Sequence, residues 1–125
     1  MKIYLFEDEV LLLKSLEFRF TKEGYEVCAF GNGLAAKEQL RNELPDIIIT
    51  DIMMPFLNGL ELISFVRNEL CSQVPIIVLS SAGLEKTVVE AFELGADDFI
   101  TKPFSPSELL IRVKKIGMRI KAGVN

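Results

Sequence analysis

The sequence predicts an α/β domain built on a parallel sheet with helices on both faces. Five short apolar runs alternate with stretches of helical periodicity along the whole chain. The third and fourth runs are apolar on successive residues, so both of their faces must be covered. At 125 residues the chain is one domain's length, enough to bury a core without disulfide or metal staples. Five βα units with such central strands imply a parallel sheet sandwiched between helices.

In order, "KIYLF" (2–6) reads as the first strand. Leu12, Leu13, Leu16 and Phe20 then share one stripe of a helix that Gly24 stops. "YEVCAF" (25–30) is the second strand and "DIIIT" (46–50) the third, with Asp51 at its far end. Met-Met-Pro and a turn follow, then a fresh helical pattern from Gly59. "PIIVLS" (75–80) is the fourth strand, and Gly95 closes the helix after it. "DFIT" (98–101) is the fifth. Pro106 suits the opening turn of a last helix whose stripe is Leu109, Val113, Ile116 and Ile120. The expected domain spans 1–121, with 122–125 a tail or the start of a linker.

Composition removes several function classes. The net charge is −4 and the pI about 4.9, so the domain itself is a poor nucleic-acid binder. Its apolar runs fall far short of the ~20 residues that a membrane span requires. The opening "MKIYLFEDE" turns acidic at once, unlike a secretory signal, which points to the cytoplasm. Cys28 and Cys71 lack metal-like spacing and read as small buried hydrophobes in a reducing compartment. There is no histidine, so any chemistry must run on carboxylates, hydroxyls and lysine.

Sites on parallel sheets form beyond the C-terminal strand ends. There the sequence places Glu7 and Asp8, then Asp51, then Ser80 and Ser81, then Lys102. A lone Asp after a strand is most often a turn or cap residue. Three carboxylates brought together are another matter: they repel, and a hard divalent ion such as Mg²⁺ resolves the conflict. Lys102 adds a charge suited to a phosphoryl oxygen, and Ser80 a hydroxyl donor. The set describes a carboxylate nucleophile that can form an aspartyl phosphate.

"FEDE…TDIMMPFLNG…VLSSAG…LGADDFITKPF" resembles the CheY-like receiver domain of two-component response regulators over essentially the whole chain. The resemblance implies a flavodoxin-like (βα)5 fold with strand order 2-1-3-4-5. It implies that Asp51 is the phosphoacceptor and that Ser80 and Lys102 hold the phosphoryl oxygens. Mg²⁺ would be held by Asp8 and Asp51, the Met53 main-chain carbonyl and, through water, Glu7. The Lys102–Pro103 bond would be cis. The phosphodonor would be a sensor histidine kinase, and no chemistry beyond self-phosphorylation and slow self-hydrolysis is expected. Met53 and Ala82 would bear on the lifetime of the phosphoryl group, although Met53 and Met54 also suit gap-filling apolar contacts.

Readout in such a domain would pass through Ser80 and the aromatic Phe99. The OmpR/PhoB type implies a homodimer formed on activation through the fourth helix, fifth strand and fifth helix, with a DNA-binding effector domain elsewhere in the protein. Phe92 and Leu110 would form its exposed apolar patch. Glu93, Asp97, Asp98, Glu108, Arg112, Lys114 and Arg119 would form its charged rim, with Asp98–Arg112, Glu93–Lys114 and Asp97–Arg119 as cross-subunit pairs. Val88 departs from that type, which has a basic partner for Glu108 there. Leu11 and Phe18 lie opposite the core stripe of the first helix and fit no assigned role.

Rival readings lack their signatures. A haloacid-dehalogenase-like phosphatase needs an acid two residues after the nucleophile, where Met53 stands. An FMN-binding module wants a Gly/Ser/Thr-rich phosphate loop after the first strand, where this chain has acids. A pseudo-receiver would have lost an acceptor or metal acid, and none is lost.

Overall fold

Uninterrupted burial of two central strands is what organises the chain. A computed structural model describes residues 1–123. The strands are β1 (Lys2–Phe6), β2 (Glu26–Phe30), β3 (Ile47–Asp51), β4 (Ile76–Ser81) and β5 (Asp98–Lys102). They form one parallel sheet in the order β2-β1-β3-β4-β5. The helices are α1 (Val10–Lys22), α2 (Ala36–Asn42), α3 (Gly59–Ser64), α4 (Glu85–Leu94) and α5 (Pro106–Lys121), and α3 runs on into a π-helical turn, Phe65–Glu69. Every residue of β3 is buried, as the successive apolar residues required. None of the helices among the described residues is long and apolar enough to cross a membrane.

Alternation along each strand divides the core in two. One layer joins Tyr4, Phe6, Ile48 and Val78 to Leu40, Leu62, Val66 and Ala91 of α2 to α4. The other joins Ile3, Leu5, Ile49 and Leu79 to Leu16 and Phe20 of α1 and to Leu109, Val113 and Ile116 of α5. Each fully buried Leu, Ile or Phe contributes roughly 1.5–3 kcal/mol by leaving water, so the strand ends are held by firmly packed layers.

The expected punctuation is present. Gly24 (φ +95°) donates to the Thr21 carbonyl at 3.0 Å, and Tyr25 donates to Phe20 at 3.1 Å. That cap uses Tyr25, so β2 begins one residue later than its apolar run. Pro106 opens α5, whose Ser105 cap accepts from the Glu108 amide at 3.2 Å. Asn58 and Glu61 form a reciprocal capping box on α3. The strands β3, β4 and β5 each continue one residue beyond the predicted end, through Asp51, Ser81 and Lys102, because ladder pairing persists there.

Two expectations fail. Leu110 is 5 % exposed and packs in the α1/α5 layer, because a helix lying against a sheet and a neighbouring helix buries an arc wider than one stripe; Ile111 is the exposed neighbour. Cys71 is exposed, in a left-handed turn (φ +51°) after the π-helical segment, whereas Cys28 is half-buried against the core. Leu11 and Phe18 are exposed. Of the expected tail at 122–125, residues 124 and 125 lie outside the described residues.

The α3 entry is tight. Gly59 donates to the Ile52 carbonyl at 2.8 Å, and a β-carbon on it would sit 2.7 Å from the Asp51 carbonyl oxygen. Gly59→Ala is expected to cost ~1–3 kcal/mol in urea unfolding, the range for overpacking against unyielding backbone. Gly31→Ala, with open space around it, should stay within about 0.5 kcal/mol of the parent.

Candidate functional site

Strand order decides which side chains meet. With β1 and β4 flanking β3, the segment after Phe6, the end of β3 and the end of β4 lie side by side, and β5 closes the far edge. Asp51 ends the central strand, paired with Leu79, and is 5 % exposed. Glu7 extends β1 by donating from its amide to the Phe30 carbonyl at 3.0 Å, which turns its side chain into the crater, fully buried. Asp8, at the bend before α1, stays exposed. One carboxylate oxygen each from Glu7, Asp8 and Asp51 lie within 4.8 Å of one another.

Lys102 reaches this cluster from the end of β5. Its Nζ stands 2.7 Å from Glu7 Oε1 and 2.9 Å from Asp51 Oδ2. The Lys102–Pro103 bond is cis. Glu7 Oε2 accepts from the Glu9 amide at 2.9 Å. Ser80 is buried, one residue beyond the β4 position that pairs with Asp51. Met54 is buried, but Met53 is 61 % exposed at the rim, so only Met54 fills a gap in the core.

One cation does not balance three carboxylates. Burial pushes Glu7 up to about 7, against the pull of Lys102 and the Glu9 amide, with Asp51 adding to the rise. Burial also raises Asp51, opposed first by Lys102. Burial works against the Lys102 ammonium, yet its contacts with Glu7 and Asp51 outweigh this and leave its pKa raised. An all-oxygen donor set with excess negative charge fits a hard divalent cation such as Mg²⁺. Glu7, Asp8 and Asp51 are the side chains able to hold it.

The chain also turns unusually beside the cluster. Phe56 has φ +73°, and the Leu57 amide donates back to Pro55 at 2.9 Å, closing a γ-turn of the rare left-handed kind. Phe56 itself is largely exposed. The sequence predicts a turn here but not its left-handed geometry, because phenylalanine carries no signal for that backbone.

The expected readout residues are partly assembled. Phe99 is 36 % exposed and meets Phe92 edge-on at 5.7 Å. Both line a cavity of about 320 Å³ that Ser80 and Val88 also line. Phe92 and Glu93 are exposed as expected. Within the single chain the rim charges largely have partners of their own. Asp98 binds Arg112 at 2.8 Å, Asp97 binds Arg67 at 3.0 Å, and Lys114 lies 3.8 Å from Glu23. Glu108 lies 3.7 Å from Arg112 one helical turn away, and Arg119 Nε is buried with no hydrogen-bond partner among the described residues. Val88 is buried against the sheet, which explains an apolar residue at that position.

The raised acids fix a pH dependence. In the native state Glu7 keeps its proton up to about pH 7, whereas the unfolded chain releases it near 4.5. The native state therefore binds more protons across that window, and stability falls as pH rises through it. In chelator, the urea midpoint should be lower at pH 7 than at pH 5, and Glu7→Gln should flatten the difference. A midpoint rising over that interval would contradict the assignment.

Comparison with known proteins agrees with this geometry. The profile of the response regulator receiver domain family matches residues 3–114. The uncharacterized transcriptional regulatory protein YclJ of Bacillus subtilis (strain 168) is 41% identical over 122 residues, 98% of this chain and 53% of that protein. "Probable transcriptional regulator ycf27" of Pyropia yezoensis is 40% identical over 115 residues, 92% of this chain and 46% of that protein. The chain thus spans about half the length of these curated relatives. The receiver domain of the Francisella response regulator 1452 superposes with a TM-score of 0.87 at 29% identity, covering 95% of this chain and 98% of that one. Acid cluster, sheet order and sequence match together place the chain in the response regulator receiver domain family.

Proposed function

We propose that this chain accepts a phosphoryl group on Asp51 from the phosphohistidine of a sensor kinase and changes its contacts in response. The observation that carries the reading is the Lys102 ammonium, 2.9 Å from Asp51 and 2.7 Å from Glu7, inside a cluster of three carboxylates. Bound at Glu7, Asp8 and Asp51 with the Met53 carbonyl, Mg²⁺ would supply the positive charge that lets a phosphoryl group approach these acids.

The chain's own residues do the rest. An Asp51 oxygen attacks phosphorus, an O–P bond forms, the N–P bond to the donor imidazole breaks, and its electron pair stays on that nitrogen. Lys102 remains protonated and holds a phosphoryl oxygen, and the Ser80 hydroxyl donates to another. Positioning and charge account for most of such catalysis. Hydrolysis of the acyl phosphate resets Asp51, so there is no turnover of a separate substrate. Ser80 and Phe99 line one cavity, so movement of Ser80 toward the phosphoryl group opens room for the Phe99 ring, which has no hydroxyl to leave unpaired.

The relatives named as transcriptional regulators support a role as the regulatory part of such a regulator; a cytoplasmic location, a DNA-binding effector and homodimerisation through α4, β5 and α5 complete the proposal. The exposed Phe92 and Val89 of α4 and the exposed Ile111 of α5 would supply the contact area. Exchange of the Asp98–Arg112 bond between subunits would then set the register.

Incubation with acetyl phosphate and Mg²⁺ should add one phosphoryl mass to the wild-type protein and none to Asp51→Asn. No adduct, or one that survives the substitution, would sink the reading. Sedimentation of the phosphorylated protein should shift toward a dimer, and Phe92→Arg should abolish the shift without lowering the adduct yield.

A further inference from the structure

The π-helical turn after α3 directs Arg67 inward, where its side chain is 9% exposed. Its guanidinium binds four acceptors. Nε and Nη2 donate to the Gly95 carbonyl at 3.1 and 2.8 Å, and Nη1 donates to the carbonyls of Ser72 at 2.9 Å and Val74 at 2.8 Å. Nη2 also meets Asp97 Oδ2 at 3.0 Å, and that same oxygen accepts from the Ile76 amide at 2.8 Å. One rigid fork thus ties the entry of β4, the C-terminal cap of α4 and the approach to β5 into a single knot. Gly95 is required there twice over, by its φ of +118° and because a β-carbon would lie 2.8 Å from Arg67 Nε.

The opposite end of α4 has no such hold. Leu84 stands at the N-cap and supplies no side-chain hydrogen bond, which leaves the first-turn amides without a side-chain acceptor. Gly83 before it has φ +91° and open space around it. Under this end lies the cavity of about 320 Å³, lined by Leu84, Val88, Val89 and Phe92 on α4 and by Ser80 and Phe99 on the sheet.

We infer that Arg67 is the pivot of α4, a positioning residue that fixes the helix at Gly95 and Asp97 so that its N-terminal turns swing into the cavity beside Ser80. A helix of 10 residues is ~15 Å long, so a rotation of about 10° at the knot moves the first turn ~2–3 Å. That matches the small helix shifts by which packed switches change state. The pivot belongs to the resting fold, and its coupling to Asp51 rests on the phosphorylation reading above.

Amide hydrogen exchange tests it. In the resting protein, Val88–Glu90, whose amides are bonded within α4, should exchange at least about a hundredfold faster than Leu94–Asp97. Equal protection at the two ends would overturn the pivot whatever any variant does. Arg67→Lys keeps the charge but loses the fork. It should accelerate exchange at Gly95–Asp97 toward the rate of the N-terminal turn, with β1 and β3 unchanged. An unchanged gradient, or a uniform rise over the whole chain as from general destabilisation, would overturn it. Asp97→Asn, which keeps an oxygen for the Ile76 amide, should give the same local effect at smaller size and serves if Arg67→Lys does not fold. With acetyl phosphate and Mg²⁺, altered exchange should stay within the first half of α4 in wild type and spread through it in Arg67→Lys. Absence of a phosphoryl adduct by mass would count against the phosphorylation reading alone, since the resting gradient is measured without it.

Discussion

A single ammonium held between two buried carboxylates is the constraint around which this molecule is arranged. Lys102 reaches Glu7 and Asp51 only because β5, β3 and β1 end at the same level of one parallel sheet. Neither acid can retreat, since their strands are clamped between two apolar layers. The lysine satisfies part of the charge, and Asp8 adds more at the rim. The remainder is a standing demand for positive charge, the condition under which an all-oxygen site suits a hard divalent cation. Stability and chemistry pull against each other here. The acids favour an open chain as they ionise, and the buried apolar layers offset them.

Much of this was readable from the sequence, and for identifiable reasons. Burial on both faces leaves an unbroken run of Ile and Val, so β3 and β4 announce themselves. Backbone turns that demand particular residues announce themselves too, as at Gly24, Gly95 and Pro106. The strand ends slipped by a residue because ladder hydrogen bonds decide where a strand stops, and Asp51, Ser81 and Lys102 are polar yet still paired. Leu110 was misread because a single stripe is narrower than the arc a packed helix buries. Cys71 was misread because hydropathy says nothing about a left-handed turn.

The hidden part shares one property: its partners are main-chain atoms. Arg67 bonds mostly to carbonyls, which every sequence possesses, so no spacing of residue types betrays it. Gly59 is marked in the sequence as a helix start, but its cause, lack of room against the Asp51 carbonyl, is a main-chain contact of the same hidden kind. Charged pairs pose a different problem. Asp98 and Arg112 are complementary in sequence, but complementarity does not say whether the two groups belong to one molecule or to two, and here they already satisfy each other.

The closed Asp98–Arg112 pair has a thermodynamic corollary. A two-fold assembly that recruited these groups would trade one ionic bond for an equivalent one in each subunit, so dissolved salt would weaken reactant and product alike. Association through this face would thus be nearly indifferent to ionic strength. Its strength would follow the apolar contact formed rather than the charges.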